Sequence, residues 1–273
     1  MKNTLTLLFL LCITFCFSQN LLTDGSLENH NSTVNCDYNN TETAFNAHFV
    51  NLTSIPDGIQ EIDIIGNLGT CEGSVPVLGN TKLILRHALN LSKRDGFSIS
   101  LTTPMIINNI YEVSWYMETM EKYGHSDGEI KVGISNSPNN FGTQVLSRSS
   151  PLTPPSPAGF TLVTGTFTAT SNAAYLTVQA NATNSSIPQC WIGVDGFSLV
   201  DLGCQPNFAG VNQLTGTQSV IADYETDGLI ESNQIIDANV DYDSKTEIHL
   251  LSGFEVKLGR EFHAFIDGCG NLF

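Results

Sequence analysis

The sequence predicts an all-β protein in two modules, a sandwich of antiparallel strands followed by a small stack of short strands. Three observations carry this. Charged residues are only 14% of the 273 while Gly, Asn, Ser and Thr are plentiful, a composition that suits turns and strands better than helices, which need Lys, Glu and Ala on their faces. Tyr111 to Glu118 and Phe160 to Gln179 alternate apolar and polar residues with the period of a half-buried strand. From Ala238 onward the alternation recurs in strands of about five residues, each closed by a glycine turn, too short to bury a face unless they stack on one another.

Residues 1–18 carry one positive charge at Lys2, an apolar run from Leu5 to Phe17 and a small residue at Ser18, which reads as a secretory signal. No later segment has the roughly 20 apolar residues of a spanning helix, so a secreted protein is expected, extracellular, periplasmic or at the cell surface. Loss of Lys2 with the signal leaves 10 basic against 27 acidic residues, a net charge of −17. That balance argues against nucleic acid and anionic membranes and leaves calcium, neutral glycans and basic surfaces as partners.

Five cysteines remain after cleavage, and an oxidising compartment favours their pairing. Cys36 with Cys71 and Cys204 with Cys269 would each close one module and leave Cys190 over; Cys190 with Cys204 is the competing arrangement. With no CxxC spacing, zinc is not expected.

In the first module, residues 19–203, Asn20 to Glu28 (NLLTDGSLE) and Trp191 to Leu202 (WIGVDGFSLVDL) resemble the opening and closing strands of CenC-type carbohydrate-binding modules. The resemblance implies a jelly-roll β-sandwich. It also implies a structural calcium that pins the first strand to the last, with Glu28 and Asp195 as ligands, since two carboxylates with neighbouring backbone carbonyls supply the hard oxygens Ca²⁺ takes. The plain reading of the same residues is a solvated acid after a turn and an Asp-Gly turn. Sugar binding is the implied function, of a polysaccharide or cell-surface glycan. A sugar site needs rings to stack and polar groups to read hydroxyls. With Trp115 taken as core, Tyr116 and Glu118 are expected to face outward on one strand, with Gln179 joining them from a neighbour. An exposed Tyr that is simply a good strand former is the competing reading.

Tyr123 to Glu129 (YGHSDGE) gathers His, Asp and Glu, yet a loop explains them without chemistry, and no HExxH, GxSxG or phosphate loop occurs. No enzyme is expected. Asp237 to Asp243 (DANVDYD) begins like an EF-hand but puts Tyr242 where the loop needs Gly; period two instead turns Ala238, Val240 and Tyr242 inward and Asp237, Asn239, Asp241 and Asp243 to water.

In the second module, residues 204–273, Ala238, Val240, Tyr242, Ile248, Leu250, Gly253, Phe254, Val256, Gly259, Phe262, Ala264, Ile266 and Cys269 fall in a pattern that resembles the 3-coathanger stack domain of secreted Bacteroidetes proteins. The resemblance implies a rigid stacked-strand β module that spaces or couples, without a pocket. The alternative to glycan binding is thus a structural or adhesive protein that contacts other surface proteins.

Overall fold

The computed structural model describes residues 19–31, 36–56, 60–66, 75–88, 93–119, 128–149, 159–183, 189–204, 213–226, 228–244 and 247–266. The expected signal at 1–18, His125 and Asp127 of the YGHSDGE sequence, the proline-rich stretch at 151–157, Cys71 and Cys269 lie outside them. In chain order the elements are β1 (Cys36–Asn40), α1 (Glu42–His48), β2 (Leu52–Ser54), β3 (Ile62–Gly66), β4 (Thr81–Ala88), β5 (Lys93–Arg94), β6 (Gly96–Ser100), β7 (Asn109–Thr119), β8 (Gly128–Ser135), β9 (Thr143–Ser149), β10 (Thr161–Thr168), β11 (Tyr175–Ala182) and β12 (Gln189–Cys204). Nine short strands follow: β13 (Gln213–Leu214), β14 (Thr217–Gln218), β15 (Ala222–Thr226), β16 (Ile230–Ser232), β17 (Ile235–Ile236), β18 (Val240–Ser244), β19 (Ile248–Leu250), β20 (Glu255–Val256) and β21 (Phe262–Phe265).

The protein is all-β, with α1 the one helix among the described residues. Strands β1 to β12 form two antiparallel sheets. One runs β1-β3-β4-β12-β7-β10 with β5 also paired to β4; the other runs β2-β6-β11-β8-β9. Period-two alternation sends Tyr111, Val113, Trp115 and Met117 of β7, and Leu176, Val178 and Ala180 of β11, into the shared core, where each is almost fully buried. Phe197 stacks on Trp115 with ring centroids 6.3 Å apart. Helix α1 starts on Thr41, whose side chain accepts from the Ala44 N–H, and adds Phe45 to the same core.

The chain's first described segment is laced to the last strand of the sandwich. Asn20 Nδ2 donates to the Phe197 carbonyl at 3.1 Å, and Asn20 Oδ1 accepts from the Leu199 N–H at 2.9 Å. Phe197 N donates to the Gly25 carbonyl at 2.7 Å. Gly25 has to be glycine, because a Cβ there would stand 2.1 Å from the Phe197 oxygen.

Cys190 lies in the core as a free, buried thiol, its pKa pushed up to about 12 chiefly by burial. Pairing of Cys190 with Cys204 is thereby corrected, and the reason is geometric: both lie on β12, 14 residues apart, or about 45 Å in an extended strand. Cys36 is disulfide-bonded.

Strands β13 to β21 make three parallel three-stranded sheets, β13-β16-β19, β14-β17-β20 and β15-β18-β21, so the chain winds through three rungs. Between the first two rungs Gln213 pairs with Glu231, Thr217 with Ile235 and Ala222 with Val240, in each case 18 residues on. The third rung is longer, with turns at Gly253 (φ +100) and Gly259 (φ +82). Ile230, Ile236, Val240 and Tyr242 form the buried centre. The Tyr242 hydroxyl is bonded to Ser232 Oγ at 2.7 Å and donates to Gln234 Oε1 at 2.6 Å. One residue departs from the alternation read in the sequence: Asp243, expected in water, is 2% exposed. It pairs in register with Glu225 and Phe265, so rungs on both sides shield it.

Candidate functional site

Asp195 and Glu28, the residues expected to hold calcium, are both in contact with the segment from Val77 to Thr81. Asp195 lies on β12 at a register shift, before Gly196 at φ +58. It is fully buried, and its Oδ2 accepts from the N–H groups of Val77 at 2.6 Å and Leu78 at 3.0 Å. Glu28 Oε1 accepts from Asn80 N at 2.7 Å and Thr81 N at 2.6 Å. Burial, opposed by these backbone donors and assisted by the Glu28 charge, pushes the Asp195 pKa up to about 6. Asp24, missed in the sequence, belongs to the same corner: its carboxylate caps the N–H groups of Glu28 and Asn29 at 3.0 and 3.1 Å, and burial raises its pKa.

Two observations test whether a hard cation fits there. Asp195 Oδ1 is buried without a well-formed hydrogen bond, and it sits in the field of a second carboxylate, which is what a cation would relieve. Among the described residues no three His, Cys, Asp or Glu side chains gather closely enough to hold a metal by themselves. A cation at this corner would need further oxygens beyond Glu28 and Asp195, since the backbone groups on these two carboxylates are N–H donors.

The three residues expected to bind sugar are not brought together. Tyr116 and Glu118 lie on β7 in one sheet, and Gln179 lies on β11 in the other. Glu118 points to the outer face as its alternation requires, but it is 1% exposed and ion-paired with Lys82, itself fully buried. Gly193, opposite Glu118 on β12, leaves room for the Glu118 side chain: a Cβ there would stand 2.6 Å from Glu118 Cγ. The Phe160 ring covers the Lys82 ammonium at 5.5 Å. Tyr116 is half-buried, flanked by Leu162 on β10 and by Leu78, which with the Tyr116 ring closes on Gly196. Leu78 and Leu162 are 43% and 54% exposed, so the accessible surface beside Tyr116 is an apolar patch, with the buried Asp195 as its register partner on β12.

Gln179 belongs to a different surface, the outer face of the five-stranded sheet. Strands β11 and β8 pair Tyr175 with Ser135, Thr177 with Gly133, Gln179 with Lys131 and Asn181 with Glu129, and each of these side chains points away from the core. Asn181 Nδ2 donates to Glu129 Oε1 at 2.7 Å, and Lys131 Nζ is 3.8 Å from the same oxygen. Gly133 admits the Phe141 ring against the sheet, since a Cβ there would stand 3.0 Å from Phe141 Cζ, and Thr177 Oγ1 donates to the Phe141 carbonyl at 2.7 Å. Gln179 is 4% exposed, while Phe141 and Tyr175 stay half-exposed. The face thus sets two rings beside an amide, an ammonium and a carboxylate. Alternation in Glu129–Ser135 (EIKVGIS), whose even partners Ile130, Val132 and Ile134 are core, is the sequence signal that marks Glu129, Lys131 and Gly133 as outward.

No known protein family matches the chain, and no curated protein matches it. The sequence resemblances to the CenC-type module and the 3-coathanger stack therefore have no family match behind them. Among solved structures the chain is similar to an arabinose-bound GH51 α-L-arabinofuranosidase (15% identity, 68% of this chain and 27% of that one, TM-score 0.44). It is similar also to the CBM22-1 xylan-binding domain of Paenibacillus barcinonensis Xyn10C (13% identity, 64% and 100%, TM-score 0.36). A third is the K1 cleaved adhesin domain of Lys-gingipain from Porphyromonas gingivalis W83 (12% identity, 56% and 91%, TM-score 0.36). The chain thus spans about a quarter of the arabinofuranosidase. Among the described residues no helix is long and apolar enough to cross a membrane.

Proposed function

We propose that the protein is a secreted, non-catalytic binding protein in two domains, 19–203 and 204–273, whose sandwich takes a polysaccharide or cell-surface glycan on the outer face of the five-stranded sheet. One observation carries this reading: paired strands β11 and β8 place the half-exposed Tyr175, Asn181, Lys131 and Glu129 in adjoining rows around the buried Gln179 and beside the Phe141 ring. Half-exposed rings offer a surface for the apolar face of a pyranose, and the Asn181 amide and the two charges offer fixed partners for its hydroxyls. Calcium bound at Glu28 and Asp195, where Asp195 Oδ1 is buried without a well-formed hydrogen bond, would hold the first strand to the last and leave the sheet face as it is.

The test is calorimetric titration of the mature chain with a panel of polysaccharides, in calcium and in chelator. Saturable binding that Tyr175→Ala weakens at least tenfold, about 1.4 kcal/mol, is expected, with a lower melting temperature in chelator. Folded protein that binds no polymer would overturn the glycan reading, and a melting temperature indifferent to chelator would overturn the calcium. A second reading has its own observation. The patch of Leu78, Tyr116 and Leu162 on the other sheet suits contact with another protein, and binding lost in Tyr116→Ala but kept in Tyr175→Ala would move the function there.

A further inference from the structure

Among the described residues the third rung is an open end of the stack. Ile230, Ser232, Ile236, Val240 and Tyr242 of the second rung point inward and are at most 1% exposed. Their register partners one rung on are Ile248, Leu250, Val256, Phe262 and Ala264. These point the same way, yet Leu250 is 48% and Val256 38% exposed, and Ala264 is exposed too. The difference has one cause: the third rung covers the second, and among the described residues no strand pairs with the free side of β19, β20 or β21. Ile266, 63% exposed at the end of the same rung, adds to the apolar surface. Solenoids ordinarily end in a rung with a polar outer face, and a row of unpaired backbone groups beside apolar side chains is a pairing surface.

We propose that this end seats the same end of a second copy of the chain, rung against rung about a two-fold axis. The surface complementary to an open rung is another open rung: backbone N–H and C=O groups meet their counterparts, and inward side chains meet inward side chains. Across a two-fold axis the parallel strands of each copy run antiparallel to their partners, an arrangement that strand pairing accepts and that closes after two copies. Charge selects the place. The whole chain carries −16, so copies repel over most of their surface, whereas residues 248–266 hold Lys257 and Arg260 against Glu255 and Glu261 and sum to zero apart from two histidines. Contact between copies is least opposed where the apolar edge is also open.

Sedimentation equilibrium of the full chain from ~1 to ~100 µM, with native mass spectrometry, tests this. A monomer–dimer equilibrium is expected, weakened at least tenfold by Leu250→Lys and separately by Val256→Lys. Both side chains are already partly in solvent, and near-unchanged circular dichroism is the control that the rungs survive. Amide exchange should slow in β19 to β21 as concentration rises. A monomer throughout the range overturns the proposal. So does a dimer indifferent to both substitutions, a dimer that reductant dissolves, or protection of these strands that does not depend on concentration, which would mean cover from residues 267–273 of the same chain.

Discussion

Asp95, between β5 and β6, is fully buried, and its two carboxylate oxygens accept from the Glu61 and Arg86 N–H groups, each at 2.7 Å. Burial outweighs those donors and raises its pKa to about 7. The proton is then held by the folded chain and released by the unfolded one between about pH 4 and pH 7, so folding stability falls as pH rises through that window, by up to about 4 kcal/mol for this group alone. Melting temperature should drop from pH 5 to pH 8, and Asp95→Asn should flatten most of the slope; an equally steep slope in the variant would mean that other groups set it. Glu118 shows why such burial was illegible in the sequence. Alternation gave its direction correctly, but its cover comes from Lys82, Phe160 and the bare backbone of Gly193, positions that only the strand order brings together. Outward-facing does not mean exposed when a glycine on the next strand invites a neighbour's side chain across.

At the scale of elements, strands with clean alternation were readable and their pairing was not. The core face of β7 and the inward Ala238, Val240 and Tyr242 of the second rung follow directly from period two. That β11 belongs to the sheet opposite β7 does not, because order within a sheet depends on loops with no period of their own. Alternation alone therefore does not tell that Gln179 and Tyr116 lie on different sheets. Helix α1 escaped because seven residues hold one buried apolar side chain, Phe45, and show no repeat. The Tyr242 hydroxyl ties β18 to Ser232 and Gln234 within the second rung. Tyr242→Phe leaves both partners in the buried centre without it, at a cost of about 1–3 kcal/mol. Amide exchange should quicken in β16 to β18 and stay unchanged in β7 and β11; a uniform change across the chain would contradict a separate stack core.

For the whole molecule, two apolar clusters matter, one spanning Leu22 to Leu199 and one centred on Ile230, Ile236, Val240 and Tyr242. Separate cores that share no buried residue should melt separately. Scanning calorimetry is expected to resolve two transitions, with Tyr242→Phe lowering only one; a single transition that moves as a unit would show the two parts coupled. The lacing of Asn20 to Phe197 and Leu199 reaches across almost the full length of the sandwich, and its consequence is kinetic. Until residue 199 has left the ribosome, the first segment has only the Ser100–Thr102 stretch to pair with, and the seven-stranded sheet lacks β12 at its centre. Contacts so distant along the chain close late and slowly. The seven-stranded sheet therefore cannot close until most of the chain has been made, and the last long strand of the sandwich is also the one that ties down its first residues.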